Sequence, residues 1–116
     1  MDVPEDIFAT ECPYRVYANA TDTQGNFLFF DFGHGNPLVL RVHPLFLTQQ
    51  TLFNFIDDIR EYGHGELRLT ERTRLVYTSE RGGIISMYAS PLGQTDRALD
   101  LPFCRVLLDA LEMIAT

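Results

Sequence analysis

At 116 residues, 46% hydrophobic and 22% charged, the chain has the size of one domain and the make-up of a globular protein with its own core, which excludes disordered and fibrous classes. No apolar run reaches the length of a membrane span, and the opening MDVPEDIFATE lacks the basic and apolar regions of a secretion signal, so the expectation is a cytoplasmic protein with no membrane partner. A net charge of −7 repels phosphate backbones and sets nucleic acid at a disadvantage as a partner.

The excess charge is concentrated at the start, where Asp2, Glu5, Asp6 and Glu11 meet no base. All nine bases are arginine, the residue whose fork-shaped head pairs with carboxylates in a way lysine cannot. Residues 1–13 read as an acidic tail punctuated by Pro4 and Pro13, with Ile7 and Phe8 tucking against the body, and residues 14–116 as a single α+β domain. Cys12 and Cys104 fit a reducing compartment as free thiols, Cys104 as a small core residue on an apolar helix; a Cys12–Cys104 disulfide is the alternative.

The first strand, 14–20, alternates Tyr14, Val16 and Ala18 against Arg15, Tyr17 and Asn19, a pattern with one buried face. Residues 21–26 carry loop chemistry. The run FLFFDF at 27–32 is apolar on both faces, as for a central or doubly covered strand. Gly33-His34-Gly35-Asn36 makes a tight connection to a third strand at 38–43. Pro44 breaks that strand and a helix follows. Thr48 is its N-cap, Leu47 and Leu52 are spaced as a hydrophobic staple, Leu52, Phe55, Ile56, Ile59 and Tyr62 form its apolar stripe, and Gly63 stops it.

The second half repeats the theme. Strands are expected around Leu67 and Leu69, around Leu75 and Tyr77, and over 84–89, with a turn at Glu80-Arg81-Gly82-Gly83. Residues 90–95 form a loop, 97–100 a short last strand, and 101–114 a closing helix capped by Asp100 with Pro102 in its first turn. On that helix Phe103, Leu107, Ala110, Leu111 and Ile114 make one stripe, widened by Cys104, Val106, Leu108 and Met113. A face that wide lies under the sheet or meets a second copy of the chain, so a homodimer is one expectation. The predicted architecture is an antiparallel sheet of six to seven strands with two amphipathic helices, in the order βββα-βββ(β)α.

Chemistry-bearing groups are few. His34 and His64 sit in Gly-His-Gly turns and His43 ends a strand; no His-x-x-x-His or Cys-x-x-Cys spacing marks a metal site, and no nucleophile, phosphate-loop or dinucleotide motif is present. The expectation is a protein with no catalytic residues, cofactor or metal. Asp57, Asp58 and Glu61 form an acidic strip on the outer side of the first helix. Adjacent helical residues point about 100° apart, which suits a solvated face or a surface that grips a basic or nucleic-acid-binding protein better than a pair of acid–base catalysts. Phe27, Phe29, Phe30 and Phe32, with Tyr14 and Tyr17 near, could stack nucleobases only beside a basic groove. The nearby arginines are offset by acids (Glu66 with Arg68, Glu71 with Arg72 and Arg74, Glu80 with Arg81), as in cross-strand pairs, and the aromatics are expected in the core.

Strand–strand–strand–helix repeated twice over residues 14–114, with Leu67-Arg68-Leu69-Thr70-Glu71 after the first helix and Leu99-Asp100-Leu101 before the leucine-rich Leu107-Leu108-Asp109-Ala110-Leu111, resembles a group of small bacterial immunity proteins that neutralise polymorphic toxins. The resemblance implies a cytoplasmic, non-catalytic inhibitor that binds a toxin through an acidic surface.

Overall fold

The computed structural model describes residues 5–21, 25–35, 37–89 and 97–115. After a 3₁₀ turn at Glu5–Ile7, the order is β1 (Arg15–Thr21), β2 (Gly25–Asp31), β3 (Leu38–Val42), α1 (Gln49–Tyr62), β4 (His64–Arg68), β5 (Thr73–Thr78), a second 3₁₀ turn (Ser79–Arg81), β6 (Ile84–Ala89), β7 (Arg97–Pro102) and α2 (Arg105–Ile114). This is the expected α+β order with seven strands. The strands divide between two antiparallel sheets, β1-β2-β3 and β4-β5-β6-β7.

The division falls at α1. A helix of 14 residues separates β3 from β4, and the sheets meet end on through the His43 N–H, which donates to the Leu69 carbonyl at 2.7 Å. α2 packs on β1 and α1 on β4. The inward faces of both sheets and the stripes of both helices close one core, including Leu28, Phe30, Leu75, Tyr77, Ile85, Leu107 and Leu111. Phe103 is its hub: its ring lies 5.1 Å from Phe8, 6.3 Å from Phe55 and 5.8 Å from Tyr77, joining the N-terminal segment, α1 and β5.

α1 follows its local signals. Thr48 Oγ1 accepts from the Thr51 N–H at 3.1 Å while Thr51 Oγ1 accepts from the Thr48 N–H at 2.9 Å, a reciprocal capping box built from two threonines. Gly63, at φ 77°, takes the left-handed cap and donates to the Ile59 carbonyl at 2.9 Å. Leu52, Phe55, Ile56 and Ile59 are buried, but Tyr62 is 69% exposed. It lies about 20° around the axis from Phe55, on the stripe's edge but at the last residue of the helix, with its ring 6.2 Å from that of His64.

Several boundaries differ from the expectation. β1 extends to Thr21 and β2 begins at Gly25, and these two residues pair; Asp22, Thr23 and Gln24 lie outside the described residues, as do the tail residues 1–4, Asn36 and the loop 90–95. His64 opens β4 opposite Thr78 and is not a turn residue. The predicted start of the closing helix is incorrect. Leu101 and Pro102 finish β7 opposite Ile85 and Ile84, and α2 begins at Arg105 with Cys104 as N-cap. Asp100 is not available as a cap, because its carboxylate is held on the sheet face. Proline, having no N–H, ends the ladder. On α2, Leu107, Leu108, Ala110, Leu111 and Ile114 are buried, whereas Val106 and Met113 face outward.

The two cysteines are bonded to each other, contrary to the free-thiol expectation, with Cα atoms 5.8 Å apart. The N-terminal segment is fastened beside that bond as well. Ile7 is buried, the Ala9 N–H donates to the Phe103 carbonyl at 2.9 Å, and the Tyr14 hydroxyl donates to the Pro102 carbonyl.

Candidate interaction surfaces

Three surfaces carry the polar and aromatic groups singled out by the sequence. The first is the outward side of α1. At about 100° per residue, Glu61 lies about 40° from Asp57 and about 60° from Asp58, so the three acids share an arc of about 100° of the helix. Asp57 and Asp58 are half-buried and Glu61 is exposed. Arg60 pairs with Asp57 at 3.0 Å from the other flank, which offsets part of that charge and leaves Asp58 and Glu61 outside the pair. Such an exposed pair is worth about 0.3–0.5 kcal/mol. The helix is a stiff mount for these groups: capped at both ends, it is followed by a further backbone bond, from the Ser79 N–H to the Gly63 carbonyl at 2.6 Å.

The second is the outer face of the first sheet, and here the aromatic run splits. Leu28 and Phe30 point into the core, while Phe27 and Phe29 point outward and are half-buried. Tyr17, 52% exposed, lies opposite Phe29, which lies opposite Val39; Phe27 is flanked by Asn19 and Arg41. An antiparallel sheet with one face in water ordinarily puts polar side chains there, so this apolar row with Arg15 and Arg41 beside it is unusual. Strict alternation along β2 makes it legible in retrospect: a strand with aromatics at both parities must show half of them to solvent unless something covers both faces.

The third is the outer face and end of the second sheet. The acid–base pairing differs from the sequence-neighbour reading, because partners on a sheet lie across strands. Arg74 stacks on Tyr88 at 4.8 Å and lies 3.7 Å from Glu66, and Arg68 faces Arg74 directly. Arg81 pairs not with Glu80 but with Asp100, at 2.6 Å. The Ser86 hydroxyl donates to the same Asp100 carboxylate at 2.6 Å. The Arg81 and Ser86 hydrogen bonds hold the Asp100 carboxyl below its ordinary value. This is a structural clasp across β6 and β7: the serine hydroxyl donates to a carboxylate and has no histidine base.

His34 is exposed in the β2–β3 turn and His64 is exposed at the start of β4. The Nδ1 of His43 accepts from the Leu45 N–H at 3.1 Å. The three do not converge, and among the described residues no group of three His, Cys, Asp or Glu side chains is placed to hold a metal ion. No helix among the described residues is long and apolar enough to cross a membrane.

Comparison with protein-family models, with curated proteins and with solved structures finds no match.

Proposed function

We propose that this protein is a non-enzymatic binding protein, an inhibitor of the immunity type, that holds a basic or nucleic-acid-binding protein partner through the outward side of α1. The observation that carries the reading is the placement of Asp57, Asp58 and Glu61 on one side of a helix locked at both ends. Fixed carboxylates steer a basic partner and set register without paying for side-chain reordering of the mount. The exposed Tyr62 one position beyond Glu61 adds an aromatic group of the kind enriched at interfaces.

The reading predicts that D57N/D58N/E61Q weakens partner binding roughly tenfold at low salt and flattens its salt dependence, measured by titration calorimetry over a salt series. Unchanged affinity in the triple variant excludes this surface.

A second reading is favoured by Tyr17, Phe27 and Phe29 on the outer face of the first sheet: a stacking surface for single-stranded nucleic acid, with Arg15 and Arg41 for the backbone. Retention on single-stranded DNA resin at low salt, lost in Y17A/F29A, would favour it over the first. On compartment, disulfides persist in oxidising surroundings; the Cys12–Cys104 bond therefore supports an oxidising compartment, against the cytoplasmic expectation drawn from the opening residues and the absence of an apolar span.

A further inference from the structure

Arg41 near the end of β3, Arg68 at the end of β4, Arg72 in the β4–β5 turn and Arg74 at the start of β5 are four of the nine arginines, at the place where the two sheets meet end on. Only Glu66 and Glu71 accompany them on these strand ends and the β4–β5 turn, so this end of an acidic chain is locally basic. Between the β3–α1 connection and the β4–β5 turn lies an open groove of about 550 Å³, within the size range of small-ligand sites.

Its wall is rich in donors. Arg41 and Arg72 line it, both exposed, and neither has a carboxylate at ion-pair distance among the described residues. Because His43 Nδ1 accepts from Leu45, the neutral ring carries its proton on Nε2 and donates there. Thr70 Oγ1 accepts from the Arg72 and Thr73 N–H groups at 3.1 and 3.0 Å, which leaves its own O–H to donate. Glu71 is the one acid in the lining. On the apolar side, Phe46 meets the His43 ring edge-on at 5.8 Å and Leu45 stands 79% exposed at the rim.

We propose that this groove binds a small organic oxyanion, its phosphate or carboxylate head between Arg41 and Arg72 and its apolar body against Phe46. Two planar guanidinium forks match either head group, and the excess of donors over acceptors leaves a cation or a neutral donor-rich ligand only Glu71 as a side-chain carboxylate partner in the lining. The inference is independent of the role assigned to α1.

The test is an NMR titration of the ¹⁵N-labelled full chain with phenyl phosphate, benzoate and inorganic phosphate. Saturable shifts confined to residues 41–46 and 70–73, with phenyl phosphate or benzoate tighter than inorganic phosphate, are expected; the tighter of the two organic probes identifies the head group. R41Q and R72Q should each weaken binding about tenfold, the effect of losing one charge-assisted contact, and E71Q should strengthen it. The opposite sign of E71Q separates a site from a structural effect, and amide signals away from the groove report that each variant is folded. Unsaturated shifts spread over Arg15, Arg68 and Arg105, or R41Q and R72Q titrating as wild type, would overturn the proposal.

Discussion

At the scale of single residues, Gly65 is a tight constraint. It lies in β4 under α1, and a Cβ there would sit 2.8 Å from the Phe55 carbonyl oxygen and 3.1 Å from Ile59 Cγ1. Alanine normally gains from a stiffer unfolded chain, by about 0.4–1 kcal/mol. Here a backbone atom is in the way and the helix must shift, at about 1–3 kcal/mol, so Gly65→Ala should be net destabilising in urea unfolding. Tyr14 gives a pH signature. Burial pushes its phenol from 10.0 up to about 12, so the folded state keeps a proton that the unfolded chain gives up. The associated stability is whole below pH 10 and is lost as pH rises toward 12. Tyr14→Phe should flatten that fall relative to wild type, read from unfolding midpoints across the alkaline range.

At the scale of elements, α1 was legible in the sequence because its signals are local: Thr48, Gly63 and the Leu52–Ile59 spacing act within a turn of where they sit. Thr48→Ala should cost about 1 kcal/mol, measured by chemical unfolding, since it removes the acceptor for the Thr51 N–H. The β7–α2 boundary was not legible. Asp100 has the form of a helix cap, but its partners Ser86 and Arg81 lie 14 and 19 residues away, and a local reading cannot weigh a bond of that separation. The aromatic strand failed the same way: periodicity placed aromatics at both parities of β2, but only tertiary packing decides that Phe30 is interior and Phe29 is not. The acid strip on α1 was legible as a strip, whereas the Arg60 contact that offsets Asp57 depends on a rotamer.

At the scale of the molecule, the tucking of Ile7 and Phe8 was legible, but the separation of seven strands into two sheets at α1 and the bonds of residues 9–14 to the strand–helix junction at 102–104 were beyond local patterning, since both depend on how distant elements pack. The Cys12–Cys104 link spans 92 residues, which in the chain-entropy picture stabilises by about 4.6 kcal/mol. Ile7, the Ala9 N–H and Tyr14 hold the same segment without it. Reduction should therefore lower the melting temperature by roughly 20 °C while leaving a folded, cooperative protein. A melting temperature indifferent to reductant would contradict that assignment.

Charge is also segregated at this scale, with carboxylates along α1 and arginines at the strand ends, and the proposed function depends on the acidic pole. The most direct test is affinity capture from the native lysate with three baits in parallel: wild type, D57N/D58N/E61Q and Y17A/F29A, with bound protein and nucleic acid both quantified. The account predicts one stoichiometric basic protein on wild type and on Y17A/F29A, and its loss from the α1 variant. The same partner on the α1 variant, or nucleic acid on wild type that Y17A/F29A alone releases, would contradict it.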